Sequence, residues 1–433
     1  MGKMFILLIF LIKYLNCNII TIPFKKYISP DINETNFYSF YANSYLYSTI
    51  NIGNLNQEIK VQLKTNQYSL CIRNDSNIYD YNSSSSYKKN SDEISPPYTG
   101  DYLRAIPSNE TFIFGNERIK GENIKFMLTK NSKFDSEGVL GLKIYENSDK
   151  TKGHGLISQL KGKKLINKEA FFFNFDKDGN GELIIGDYPH LIEKFQDQYQ
   201  EIQFKQTSLH ITNYEINFDM KFRSISWNGT VIEKESISHI ILESGYIIGS
   251  QPFEDKSYDD FFYPHFIAHK CTRKIVNVRY YAYICDDYPD LDITKFPEIN
   301  FYISDIEYNL KLTYEDLFVK KNGKIYFLVV FDKNSNVFWT LGDMFIKRNK
   351  LVFDMDRKIL GIYDLNITNN NNEEKETNKK KIIFIVIICV AGVIIIALVI
   401  FILYKFVWKK RNKKPYELND DYEYVTAINT NEE

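Results

Sequence analysis

The chain is poor in the residues that mark several protein classes. Cysteine occurs five times in 433 residues, too sparsely for a disulfide-stapled scaffold. With 20 Gly and 11 Pro, it is neither collagen-like nor a low-complexity chain. Net charge is nearly absent: 54 Lys+Arg against 55 Asp+Glu leave −1. That balance argues against a chain-wide electrostatic grip on nucleic acid, so no nucleic-acid partner is expected. Between residues 45 and 363 no stretch sustains a long helical period. What is abundant is aromatic surface, 32 Tyr and 32 Phe within a 44 % hydrophobic share. That is enough to fill a sizeable core, and Ile, Tyr and Phe favour strands.

Long apolar runs occur only at the two ends. Lys3 precedes an unbroken apolar stretch, Met4 to Ile12, the length of a signal-peptide core and too short to span a bilayer. Residues 1–18 are therefore expected to be a signal peptide. Ile382 to Leu403 is 22 residues without a charge. At about 1.5 Å per residue such a helix is roughly 33 Å long, sufficient to cross the hydrocarbon core. Lys379, Lys380 and Lys381 precede it; Lys405, Lys409, Lys410, Arg411, Lys413 and Lys414 follow. The larger basic cluster belongs on the cytosolic side, with Tyr404 and Trp408 at the interface. The expectation is a single-pass type I membrane protein with a luminal or extracellular ectodomain. A polar stalk (365–381), the span (382–403) and a cytosolic tail (404–433) complete it, and the lipid bilayer is its one membrane partner. Sequons begin at Asn33, Asn74, Asn82, Asn109, Asn228 and Asn366, none of them in the tail. Within the tail, Tyr422-Glu423-Tyr424-Val425 fits a tyrosine-based sorting signal as well as a featureless segment.

The body consists of short apolar runs broken by polar turns, such as Tyr47 to Ile52, Ile59 to Leu63, Phe171 to Phe175, Glu182 to Ile185 and Lys324 to Phe331. The reading is mostly β, with helices expected at Leu156 to Leu165 and Ser257 to His269. A faint repeat is present. Val61 to Leu70 has a partner in Ile240 to Ser250, and Gly138 to Leu142 has one in Trp339 to Phe345. Two similar β lobes follow, 36–190 and 191–364.

Several motifs lie in one order along the body. Trp339 to Asp364 carries Leu341, Gly342, Asp343 and Phe345, then Val352, Phe353 and Asp354. Ile50, Ile52, Gly53 and Gln57 stand in register near its start, followed by Phe134 to Leu142 and Gly181 to Pro189. In these segments the chain resembles the pepsin-like aspartic protease family (peptidase A1). That resemblance implies an all-β, bilobal pepsin-like fold, here with one C-terminal transmembrane helix added. It also implies a disulfide between Cys271 and Cys285. Of the other cysteines, Cys17 falls in the signal peptide, Cys389 in the span, and Cys71 is expected as a buried apolar filler.

The departures from the family pattern bear on function. Counted without gaps, the first catalytic Asp-Thr-Gly-Ser corresponds to Lys64, Thr65, Asn66 and Gln67. The second, Asp-Thr-Gly-Thr, corresponds to Glu243, Ser244, Gly245 and Tyr246. The family's supporting tryptophan is Cys71, the serine after the first motif is Tyr68, and the best candidate for the flap tyrosine is Tyr98. The family's chemistry needs two adjacent carboxylates sharing one proton, one acting as base on water and the other as acid. A lysine in one seat removes that pair and is expected to bind Glu243 as a counter-ion. Lys64 and Glu243 are thus the dyad positions of a pseudoprotease. Its cleft (Thr65, Asn66, Gln67, Ser244, Gly245, Tyr246 and Tyr98) would bind extended peptide or protein. Two alternatives stay open: an active aspartic-type endopeptidase with an altered dyad, and a structural membrane-surface protein. No cofactor and no metal are expected. Asp176 to Asp187 fits an EF-hand loop, yet its flanks are strand-like and hairpin chemistry accounts for it. His265 and His269 are read as surface or packing histidines.

Overall fold

Alternation of apolar and polar side chains builds the strands. In Tyr45–Ile52, Leu46, Ile50 and Ile52 turn inward while Thr49 faces solvent. In Gln57–Lys64, Ile59, Val61 and Leu63 do the same. The computed structural model describes residues 19–27, 45–67, 69–93, 104–116, 118–129, 136–143, 155–212, 215–242, 245–276, 279–334 and 338–364. These are mostly β, in one sheet of 13 strands and another of 11.

Six strands of the first sheet roll into a barrel, in the order Tyr45–Ile52, Gln57–Lys64, Gly138–Gly141, Leu70–Arg73, Ile119–Thr129 and Ala105–Phe114. Pairing of Ile52 with Phe112 closes it, so that these strands leave no long free edge. Strand Ile20–Tyr27 connects the barrel to an antiparallel layer. The layer continues through Gly181–Ile185, Ala170–Phe175, Leu351–Asp354, Ile359–Tyr363 and Phe204–Ser208. The chain's last two strands thus pair with strands made far earlier, Val352 opposite Phe172. Strand Ile20–Tyr27 lies before Tyr45, where the sequence pattern placed the start of the β body.

The two sheets repeat one arrangement. Gln57–Lys64 runs parallel to Gly138–Gly141, which is antiparallel to Leu70–Arg73, itself parallel to Ile119–Thr129. Likewise Thr230–Ile240 runs parallel to Trp339–Leu341, which is antiparallel to Ile247–Gly249, itself parallel to Lys324–Asp332. The faint sequence repeat covers part of this arrangement, in 61–70 with 240–250 and 138–142 with 339–345, and leaves out Ile119–Thr129 and Lys324–Asp332.

Aromatic rings fill the core. Phe171 stacks on Phe353 at 4.9 Å, and Phe218 meets Phe353 edge-on at 4.8 Å. Phe253 sits between Trp227 and Trp339. Such pairs add specific geometry to large buried areas.

Helix Leu156–Gly162 forms where expected. The second helical region is broken: helix Gln251–Ser257 passes through a wider turn, Tyr258–Phe262, into Tyr263–Ile267. Pro264 has no N–H for the preceding turn, which accounts for the break. His265 hydrogen-bonds the Tyr288 hydroxyl, while His269 lies past the helix end with φ 57°. The two histidines therefore do not share a helix face. Residues 176–180 are a hairpin turn between Ala170–Phe175 and Gly181–Ile185, and Asp176 accepts the backbone N–H groups of Asp178 and Asn180 at 2.9 Å. The Cys271–Cys285 bridge is present, joining directly opposed residues of two antiparallel strands. The expected signal peptide, stalk, membrane span and tail fall outside the described residues. Among the described residues no helix is long and apolar enough to cross a membrane.

Candidate functional site

Lys64 ends strand Gln57–Lys64, half-buried, where the chain turns away from the barrel. Its carbonyl accepts the Leu142 N–H at 2.9 Å, and the Gln67 carbonyl accepts the Lys143 N–H at 2.9 Å. The segment 64–67 is thereby strapped to 141–143. Glycine is required at 141: a Cβ there would lie 2.5 Å from the Gln67 carbonyl oxygen and 2.7 Å from that of Ser69.

Thr65 is buried, and its hydroxyl oxygen accepts the backbone N–H of Leu242 at 2.8 Å. Leu242 is itself buried and immediately precedes Glu243. The Ile241 N–H is held by the Leu341 carbonyl at 3.0 Å. Lys64 and Glu243 therefore each adjoin a residue of one buried bond that spans both sheets. Of the expected cleft residues, Thr65 and Gln67 are buried and Asn66 half-buried beside Lys64, the Asn66 Oδ1 having no hydrogen-bond partner. Tyr246 is buried in a small apolar cluster with Ala282, Ile284 and Tyr326, just after Gly245. Tyr98, Glu243 and Ser244 lie outside the described residues.

Below Lys64, Cys71 is a free, buried thiol packed with Ala105, Met127 and Val139, as its role of apolar filler requires. Burial pushes the thiol pKa up to about 12, the Lys64 charge acting in the opposite direction. A thiol so placed carries almost no thiolate at neutral pH and is a poor nucleophile.

One further titratable pair adjoins the site. Asp219, 3 % exposed, accepts a hydrogen bond from His239 Nδ1 at 2.7 Å, while its Oδ2 is buried without a partner. This bond raises the His239 pKa against the opposing effects of burial and of the Lys143 charge. His239 stands three residues before Leu242 on strand Thr230–Ile240. Sequence reading had no signal for this pair, because the two residues meet only through antiparallel register. The Thr65–Leu242 bond and the Gly141 contact were equally unreadable.

A closed barrel and a second sheet of the same pairing order, tied through their loop segments, define the architecture of pepsin-like proteases. The eukaryotic aspartyl protease family model matches residues 44–364, most of the chain and every described strand except Ile20–Tyr27. The chain belongs to that family. No curated protein sequence matches it.

Proposed function

We propose that this aspartyl protease relative is a membrane-anchored pseudoprotease that holds extended polypeptide in the cleft between its halves. The observation that carries the reading is Lys64 at a dyad position on a strand whose neighbouring Thr65–Leu242 bond is intact. The frame that would position a carboxylate pair persists, and a cation stands in it. Without a shared proton there is no division into acid and base, each role being worth about 10²–10⁴-fold in rate. An open cleft lined by strand ends can still pair with a peptide backbone. The ectodomain would face a lumen or the exterior, held by the helix at 382–403.

The test uses full-length protein in detergent, incubated with a random peptide library from pH 3 to 8. The expected result is retention of peptides without cleavage, while a Lys64→Asp/Glu243→Asp variant gains cleavage at acid pH. Wild-type cleavage equal to that of the double variant, blocked by a statine-type transition-state mimic and removed by Glu243→Ala, would overturn the proposal.

A further inference from the structure

The sequons at Asn109 and Asn228 occupy opposite surroundings in the fold. Asn228 forms, with Gly229, the two-residue tip of the hairpin between Glu215–Trp227 and Thr230–Ile240. Both tip residues have positive φ, 50° and 73°, the geometry that Asn-Gly turns favour. Asn228, Gly229 and Thr230 are all exposed, and a Cβ added at Gly229 would meet nothing within 4 Å. The tip is anchored by its neighbour: Trp227 is buried and its indole N–H donates to the Pro297 carbonyl at 3.1 Å.

Asn109 lies in mid-strand, paired with Lys88 on one side and Lys125 on the other. Its Oδ1 accepts from Asn90 Nδ2 at 2.7 Å, and its Nδ2 donates to Asn123 Oδ1 at 2.8 Å. Thr111, which completes this sequon, is buried. A sugar on the Asn109 nitrogen would replace one of its two N–H hydrogens and crowd the Asn90 and Asn123 side chains that bracket it.

We propose that Asn228 carries an N-linked glycan and that Asn109 does not. In the transfer, the Asn228 amide nitrogen attacks the anomeric carbon of a lipid-linked oligosaccharide diphosphate. The C–N bond forms, the C–O bond to the diphosphate breaks, and the amide proton passes to a base of the transferase. Strand Thr230–Ile240 is about 33 Å long at roughly 3.3 Å per residue, so the glycan leaves the cleft uncovered. The inference rests on the luminal or extracellular placement of the ectodomain in the proposed function.

The experiment expresses the full chain in eukaryotic secretory cells and maps intact glycopeptides. Glycosidase release in ¹⁸O-water then separates released sites from spontaneous deamidation at Asn228-Gly229. A glycan at Asn228, lost in Thr230→Ala, with Asn109 unmodified, supports the proposal. A glycan on Asn109 of the folded protein, or a bare Asn228, overturns it. The state of Cys271 and Cys285 in the same digest tells the two failures apart. A bare Asn228 with the bridge formed defeats the glycan alone; a bare Asn228 with both thiols reduced defeats the luminal placement as well.

Discussion

The hydroxyl of Thr65 accepts the backbone N–H of Leu242 at 2.8 Å across 177 residues of chain. Both residues are buried, so no solvent competes for either group. Thr65→Val keeps the shape and strands the Leu242 N–H without an acceptor, a loss of about 1–3 kcal/mol. Thr65→Ser keeps the oxygen and should recover most of that. Urea midpoints at constant m-value are the readout, and equal midpoints for Val and wild type would show the bond to be incidental.

The Asp219–His239 pair makes stability depend on pH. The folded His239 pKa is raised, so its contribution is fully present below the unfolded value of about 6.5 and is lost as pH rises through the folded value. The groups facing it are Asp219 on the adjacent strand and Lys143 from the first sheet, with Thr340 opposite on the parallel strand. His190 and His265 have lowered pKa values through burial and oppose this trend, weakening the fold as pH falls below about 6.5. The difference between wild type and His239→Gln isolates the pair. Thermal melts from pH 5 to 8 should show that difference shrinking toward pH 8; a constant difference would refute the linkage.

Cys71 should resist alkylation in the native protein. Its thiol is buried and its pKa stands at about 12, so almost no thiolate exists at pH 8. Iodoacetamide at that pH is expected to label Cys71 only after denaturant is added. Rapid native labelling would place the thiol at an open cleft surface instead.

Phe353 joins the end of the chain to its middle, stacked on Phe171 and met edge-on by Phe218. Phe353→Ala is expected to cost about 3–5 kcal/mol through lost contacts and the cavity left behind. Phe353→Leu should cost appreciably less. Calorimetry compares the two, and matching losses would mean that the ring geometry contributes nothing.

Much of the fold was legible. Period-two runs placed the strands, and the Leu341–Phe345 and Val352–Asp354 motifs fixed which strands close the body. Counting without gaps from Ile50, Gly53 and Gln57 singled out Lys64, since a strand admits no slip without inverting its faces. The carboxylates of the interior were not legible. Glu110 accepts bonds from Tyr79 and Ser84 at 2.5 and 2.7 Å, and Glu254 accepts from Tyr281, Tyr283 and Arg273. Alternation shows which positions face inward but not which acids find partners there. Those partners come from strands distant in sequence, and only register brings them together.

Strand Leu351–Asp354 takes its place beside Ala170–Phe175, and Ile359–Tyr363 then covers it. During synthesis, the sheet begun by residues 20–27 and 170–185 must wait for these late segments to leave the ribosome. Folding of such sequence-distant pairings is slow. A nascent chain halted before residue 351 leaves Phe171 and Phe172 on a strand with one unpaired edge. Quality control would meet the protein at that stage, with the first half made and its closing strands still missing.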